Sequence, residues 1–277
     1  MGITKRDQLL LLKLQNYSML TTNQVRELVF GNIDITTVLR RLRVLEGEKL
    51  IARVKGLEST ENLWVLTENG ADIGNLKLWK RNFPKGLLEH DHKLVTLRLA
   101  FETIGIAKSW IPEHEIRSKV CQRHGIRSMK DRLIPDALMG AEINGRSHTI
   151  AVELELNLKN KRRYEKIFDQ YSSKPGVEII WYVIRHKSQM GILLKYWKRY
   201  VYLMNGKKIY FSILEDVLQN LENSILYSQS PRKLSEVFKI DVTPIDAQGV
   251  SSSIEDKIEL QKRPTTENFA PILENTG

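Results

Sequence analysis

The stretch Ala151-Val152-Glu153-Leu154-Glu155-Leu156 follows Ile134-Pro135-Asp136, with Glu153 17 residues after Asp136. Side chains alternate faces along a β-strand, so this pattern predicts a strand whose aliphatic residues share one face and whose two glutamates share the other. The two carboxylates then stand roughly 7 Å apart along the strand, and Asp136 can approach from the strand beside it. The stretch therefore predicts a sheet that gathers three acidic side chains at one place.

Three acids on one face of a sheet have two interpretations. Hard cations such as Mg²⁺ accept carboxylate oxygens readily, which makes the three acids a candidate metal site. Alternatively, the second face of the sheet is solvated and simply carries acidic residues. A short motif needs its structural context before it identifies a site, so the sequence leaves both interpretations open.

The spacing of these acids resembles the nuclease superfamily with the restriction-endonuclease-like fold. The resemblance implies that Asp136 and Glu153 hold a divalent ion, Mg²⁺ or Mn²⁺, and that a lysine two residues after the second acid helps to activate water. Glu155 occupies that lysine position here, as in some restriction endonucleases of this fold, and the nearest cations are Lys159 and Lys161. The candidate catalytic residues are Asp136, Glu153, Glu155 and Lys159, and the candidate metal ligands are Asp136, Glu153, Glu155 and Glu115.

Composition limits the class of protein. A chain of 277 residues is long enough for two domains, and its 42% apolar content is ordinary for a protein with a hydrophobic core. No uninterrupted apolar stretch approaches the roughly 20 residues that span a bilayer, and the first residues do not have the pattern of a signal peptide. Cys121 is the single cysteine, so no internal disulfide is possible. We therefore expect a cytoplasmic protein without a membrane segment.

Charge is distributed unevenly along the chain. The whole chain carries +10, but residues 241–277 contain seven acids and three bases, a net charge of −4, which leaves +14 on residues 1–240. A body this basic favours polyanions, most commonly nucleic acid, although a solvated basic surface without a dedicated ligand is the alternative. The last 37 residues are rich in Ser, Thr, Pro and charge, so we expect an acidic disordered tail at 241–277.

The first eighty residues predict three helices followed by a hairpin. The helices are expected from Arg6 to Asn16, from Thr21 or Thr22 to Phe30, and from Asp34 or Ile35 to Glu46. Two strand-like segments follow at 50–55 and 63–66, separated by a polar tip at 56–62. Helix, helix, helix, hairpin is the order of a winged helix-turn-helix, which we assign to residues 1–82.

The third helix carries the signal for a nucleic-acid partner. Apolar residues repeat at helical spacing at Ile35, Val38, Leu39, Leu42 and Leu45. Short hydroxyls and arginines occupy the opposite side, where they suit the major groove of DNA, and a lysine in the hairpin suits the phosphate backbone. The candidate DNA-binding residues are Thr36, Thr37, Arg40, Arg41, Arg43 and Lys55. The alternative is a small helical module that pairs with another protein.

Pro84 and Gly86 indicate a linker, and residues 87–228 predict a second domain with a mixed α/β sheet. We expect a long helix at 89–104 and a strand from Glu115 to Cys121, followed by a basic loop. Two strands at 133–139 and 148–156 are joined by Asn144-Gly145, a strong hairpin signal. Helices at 160–172, 190–204 and 216–225 then alternate with strands at 177–185 and 208–214. The overall fold class is α/β, or α+β for the two domains together.

The helix after the acidic strand has two different sides. Tyr164, Ile167, Phe168 and Tyr171 follow the spacing of a core-facing stripe. Its start is basic, and the candidate phosphate contacts are Lys161, Arg162 and Arg163. A solvated helix face that neutralises nearby acids is the alternative.

Across roughly residues 5 to 185, several motifs in order resemble the replication-relaxation family of bacterial plasmids and integrated mobile elements. They include Leu20-Thr21-Thr22-Asn23-Gln24-Val25, Val38-Leu39-Arg40-Arg41-Leu42, Val65-Leu66-Thr67-Glu68-Asn69-Gly70, Glu89-His90-Asp91 and Pro135-Asp136, and an acidic strand that leads into Lys161-Arg162-Arg163-Tyr164. The resemblance implies a winged helix plus a restriction-endonuclease-like domain. It further implies a double-stranded DNA-binding protein acting in transcriptional control, replication or transfer of a mobile element. The expected partners are DNA, a second copy of the chain, and other transfer or replication proteins.

The second domain is expected to be a degenerate nuclease-like platform, because the water-activating lysine is absent from its position and no other general base is evident. The alternative is a metal-dependent DNA endonuclease or nickase that uses Asp136, Glu153 and Glu155. Other chemistry finds no support, since the sequence has no Gly-rich phosphate loop, no nucleophile elbow and no paired-cysteine metal motif.

Overall fold

The computed structural model describes residues 2–55, 62–77, 82–125, 127 and 132–238. The chain is mixed α/β and divides into two units between Val95 and Thr96. Most of the hairpin tip, part of the basic loop after Cys121 and the tail at 241–277 lie outside the described residues. Within the described ranges, no helix combines the length and the apolar character that crossing a bilayer requires.

Unit 1 contains short helices around a small antiparallel sheet. Its elements are α1 (Lys5–Tyr17), β1 (Leu20–Thr21), α2 (Thr22–Val25), a π-helical turn (Arg26–Phe30), α3 (Ile35–Gly47), β2 (Ile51–Val54), β3 (Leu63–Leu66), α4 (Glu68–Ile73) and the start of α5 (Lys85–Thr103). The three strands pair in the order β1-β3-β2. The predicted succession of three helices and a hairpin is therefore present, and α5 begins directly after Pro84, inside the predicted linker.

α1 contributes a large part of the buried core of unit 1. Four consecutive leucines, Leu9 to Leu12, are buried together with Leu14, so the helix is apolar on every side along this segment. A helix that is apolar all round belongs in a core, not at a surface. Thr4 begins the helix with a capping box, in which its hydroxyl accepts from the Asp7 amide and the Asp7 carboxylate accepts from the Thr4 amide.

Unit 2 is built on a five-stranded mixed sheet. After the end of α5 its elements are β4 (Ser109–Pro112), α6 (Glu113–His124), β5 (Ala137–Ile143), β6 (Arg146–Glu155), α7 (Lys161–Ser173), β7 (Ile179–Ile184), α8 (Lys187–Trp197), a 3₁₀ turn (Val201–Leu203), β8 (Lys208–Ile213), α9 (Leu214–Gln219), β9 (Ile225–Leu226), β10 (Arg232–Lys233) and α10 (Leu234–Phe238). The strand order is β4-β5-β6-β7-β8. The first two pairings are antiparallel and the last two are parallel.

Both faces of the sheet are covered. On one face Trp181 stacks between Phe101 of α5 and Phe238 of α10, with ring centroids 4.8 and 5.4 Å away. On the other face, residues of α6, α7 and α8 pack against Leu138, Ala151 and neighbouring strand residues. Strands covered on both faces are apolar throughout, which explains why all six residues of β7 are buried.

The expected strand from Glu115 to Cys121 is wrong, because these residues belong to α6. Ile116 and Val120 are buried at a spacing of four, which is helical spacing. Acidic residues in the first turn and basic residues in the last turn also favour a helix here. The strand in this region is the shorter β4, which ends at Pro112 just before α6 begins. The other predicted strands and helices of unit 2 are present with ends shifted by several residues.

The close approach of α4 to the turn between α3 and β2 generates a stability prediction. Thr67 caps α4 and its hydroxyl donates to the Leu50 carbonyl at 2.9 Å, which brings Gly70 against that carbonyl. A Cβ atom at Gly70 would stand 2.0 Å from the Leu50 oxygen. Gly70→Ala should therefore destabilise unit 1 by about 2 kcal/mol in denaturant unfolding, despite the better helix propensity of alanine.

Gly47→Ala is the matched control, because nothing lies within 4 Å of a Cβ atom at Gly47 in the last turn of α3. This variant should be neutral or more stable by up to about 1 kcal/mol. Equal stability of the two variants would contradict the described packing of α4.

Candidate functional site

The first candidate site is the outer face of α3. Asp34 caps this helix and accepts from the Thr36 amide at 2.8 Å, which fixes where the helix starts. Val38, Leu42 and Leu45 are buried on the inner face, whereas the predicted contact residues Thr36, Thr37, Arg40 and Arg43 are exposed. Lys55, the other predicted contact, is exposed just after β2. The four residues of α3 therefore stand on the solvent-facing side of a helix that is anchored by its opposite side.

Arg41 differs from its neighbours on α3. Its guanidinium forms an ion pair and two hydrogen bonds with Asp7 of α1, and the Asp7 side chain is only 1% exposed. Burial raises the pKa of Asp7, but hydrogen bonds from Arg41 and Thr4 outweigh it and hold that pKa below its ordinary value. Arg41 thus joins α3 to α1 from the inner margin of the predicted contact face.

The second candidate site is the acidic segment of unit 2. β5 begins at Ala137, opposite Val152, so Asp136 continues the register opposite Glu153. The Asp136 side chain accepts from the Leu154 amide at 2.7 Å, where a strand would otherwise supply a backbone carbonyl. The carboxylate of Asp136 therefore takes the place of a backbone acceptor at the end of the pairing between β5 and β6.

Glu153 lies inside the layer between the sheet and α7. Its side chain accepts a hydrogen bond from the Tyr171 hydroxyl, and the residue is 7% exposed. Burial raises the pKa of Glu153 to about 8, helped by the charge of Asp136, while Lys159 and Tyr171 act in the opposite direction. This raised pKa favours the protonated, neutral form of Glu153 near neutral pH.

Glu155 is buried in a different way. It is 3% exposed and forms an ion pair with Lys159, four residues later. The Lys159 amide donates to the Tyr164 hydroxyl at 3.0 Å, which ties the turn before α7 to the helix itself. Lys159, predicted as a catalytic residue, is thus the counterion of Glu155.

The solvated-face interpretation of the acids is wrong. Glu153 and Glu155 do share a face, as the alternation predicts, but α7 covers that face with three buried aromatic side chains, Tyr164, Phe168 and Tyr171. Tyr182 of β7 stands beside Glu153 in the parallel register, and within the described ranges its buried hydroxyl has no hydrogen-bond partner. The acids therefore lie under a cover of aromatic side chains.

The residues predicted to bind a metal ion do not form a metal site as the described structure stands. Asp136, Glu153 and Glu155 are each engaged by a protein donor, and Glu115 pairs with Lys119 on α6 at 2.5 Å. Over the described ranges, no group of three or more His, Cys, Asp and Glu side chains is arranged to hold a metal ion. Mg²⁺ or Mn²⁺ would have to displace Tyr171 and Lys159 from these carboxylates.

The predicted phosphate contacts stand outside this covered region. Lys161, Arg162 and Arg163 are exposed in the first turn of α7, and Asn160 caps the helix by accepting from the Arg163 amide at 3.0 Å. Lys161 also lies 3.6 Å from Glu165 one turn later. These cations form an exposed helix start, whereas the neighbouring acids are buried.

Several residues that shape the two sites were not identified from the sequence as site residues. They are Asp7, Tyr171, Tyr182 and Lys174. Burial lowers the pKa of Lys174 to about 8, and the amine of this residue donates to the Leu133 carbonyl at 3.1 Å. The core-facing stripe of α7 did include Tyr171, so the available signal was a tyrosine whose hydroxyl needs a partner when its ring is buried.

The chain matches none of the protein-family models, curated proteins or solved structures with which it was compared. The resemblance to the replication-relaxation family stays a prediction.

The buried Glu153 generates a pH prediction. An exposed glutamate titrates near about 4.3, so between that pH and about 8 the folded state binds a proton that the unfolded state releases. The contribution of Glu153 to stability is therefore fully present below the unfolded pKa and falls as pH rises towards 8. We expect a loss of about 2 kcal/mol of unfolding free energy between about pH 6 and 8.

Glu153→Gln keeps the shape of the side chain but cannot ionise, so this part of the pH dependence should vanish in denaturant unfolding at several pH values. Wild type and variant with parallel stability curves through this range would show that Glu153 is ionised in the folded protein.

Proposed function

We propose that the chain is a double-stranded DNA-binding protein that contacts duplex DNA through the exposed face of α3. The observation that carries the proposal is the division of α3 into an inner face of buried aliphatic residues and an outer face with exposed hydroxyls and arginines. Arginine pairs bidentately with guanine in the major groove, and threonine contacts a phosphate or a thymine methyl group. Arg40 and Arg43 form no ion pair with another described residue, so their guanidinium groups can turn to a ligand.

The proposed domain types are a winged helix-turn-helix for unit 1 and a nuclease-like domain for unit 2. The helix order and the antiparallel sheet of unit 1 support the first, with β2 and β3 forming the wing. For unit 2 the support is the order β5, β6, α7, β7, with Asp136 before the first of these strands and Glu153 within the second. A role in transcriptional control, replication or transfer of a mobile element depends on the family resemblance and is part of the proposal.

Unit 2 is proposed to act as a platform and not as a nuclease. A neutral Glu153 and a Glu155 that is paired with Lys159 are poor ligands for a divalent cation, because metal binding requires deprotonated and accessible carboxylates. The exposed Lys161, Arg162 and Arg163 are proposed to hold the phosphate backbone without cleaving it.

A metal-dependent endonuclease or nickase is the second candidate. The approach of Asp136 to Glu153 across adjacent strands favours it, because that is the arrangement which nuclease-like folds use. Our proposal predicts that supercoiled plasmid stays intact with Mg²⁺ or Mn²⁺ at millimolar concentration. Plasmid cleavage by wild type that is lost in Asp136→Ala would show that unit 2 is a nuclease and would refute the platform proposal.

Two adjacent arginines provide a matched test of the DNA-contact face. Arg40→Ala should weaken binding to duplexes recovered by in vitro selection by about 1–3 kcal/mol while the melting temperature stays unchanged. Arg41→Ala should instead lower the stability of unit 1, because it leaves the buried Asp7 without its guanidinium partner. Gel-shift titration and thermal melting of both variants give the comparison.

Unchanged DNA affinity in a folded Arg40→Ala variant would refute α3 as the contact helix. Failure of wild type to bind any selected duplex would refute the DNA-binding function as a whole.

A further inference from the structure

A groove of about 660 Å³ runs along unit 1 between the start of α1, the end of the π-helical turn and α3. Thr37 and Arg40 of α3 line it, and both belong to the proposed DNA-contact face. Lys5 and Arg6 of α1 line the same groove from the other side. Two helices therefore contribute basic side chains to one surface feature.

The groove is electropositive. Lys5, Arg6, Arg40 and Arg41 line it, and among its described lining residues Asp7 is the single acid. The charge of Asp7 is already matched by Arg41. Lys5, Arg6 and Arg40 are all exposed on the surface of the groove. A polyanion is the ligand that such a surface attracts.

The two sides of the groove are held in a fixed relation. The ion pair between Asp7 and Arg41 joins α1 to α3 one helical turn or less from Arg6 and Arg40. The Arg6 guanidinium also lies over the Phe30 ring, 5.5 Å from its centroid, which restrains the direction of this side chain. Cations that are already oriented lose less conformational entropy when they bind a ligand.

We propose that the DNA-contact surface of unit 1 continues from α3 onto the start of α1, where Lys5 and Arg6 bind phosphates of the backbone strand that borders the major groove. This inference rests on the proposed DNA-binding function and adds residues that are not among the candidate DNA contacts predicted from the sequence. The groove fits a sugar-phosphate strand, since its cations can pair with phosphates while the half-buried Val44 can contact the apolar side of the deoxyribose. Arg41 holds the two helices together beneath this strand.

The test measures binding of the full chain to a selected duplex and to a random duplex over a series of salt concentrations. Loss of one phosphate contact lowers the salt slope by about one unit and weakens binding to both duplexes by the same factor. We expect this result for Arg6→Ala and for Lys5→Ala. Arg6→Lys keeps the charge and should restore the slope, whereas Arg40→Ala should weaken the selected duplex more than the random one.

Lys49→Gln is the control, because Lys49 is an exposed cation beyond the end of α3 that does not line the groove. Its salt slope should equal that of wild type. The inference would be overturned if Arg6→Ala and Lys5→Ala had the salt slope of wild type while Arg40→Ala bound the selected duplex more weakly. The proposed function would remain supported by that result. No binding by wild type to any duplex would overturn both.

Discussion

Two carboxyl groups lie within the aromatic layer between the five-stranded sheet and α7, and the arrangement of unit 2 depends on how they are neutralised. Burying an unpaired charge costs several kcal/mol, so each group needs its own solution. Burial raises the pKa of Glu153, which favours its neutral form, and its carboxyl group accepts from Tyr171; Glu155 takes Lys159 as a counterion. Both solutions use α7 or the turn that precedes it, which ties the position of this helix to the acidic strand.

The two units therefore use charge for different purposes. In unit 1, Asp7 and Arg41 join two helices, and the neighbouring arginine of α3 remains exposed for a polyanionic ligand. In unit 2 the acids are buried and the cations of α7 stay on the surface. Both units consequently present positive charge to solvent, and three of the acids nearest to these cations, Asp7, Glu153 and Glu155, are buried.

The periodicity of the sequence predicted which residues share a side of β6 or of α7. It did not predict which elements contact one another across long sequence separations. Alternation along β6 correctly places Glu153 and Glu155 on one face, and the stripe of α7 correctly identifies its buried side. The sequence pattern does not say that this stripe covers that face, since Tyr171 is 18 residues from Glu153. Arg41 is likewise 34 residues from Asp7, so a helical wheel alone places it with Arg40. α6 was missed because a short segment with Ile116 and Val120 satisfies a strand or a helix almost equally well.

The protonation state of Glu153 is the most direct test of the covered carboxylate site, and infrared difference spectroscopy observes it. The spectrum of Glu153→Gln is subtracted from that of wild type in heavy water near neutral pH. The described burial predicts a carbonyl stretch of a protonated carboxylic acid in wild type, which is absent from the variant and disappears as pH rises past about 8. A difference spectrum that shows only carboxylate bands at neutral pH would contradict a neutral Glu153. It would favour the alternative in which the ionised acids bind a metal ion.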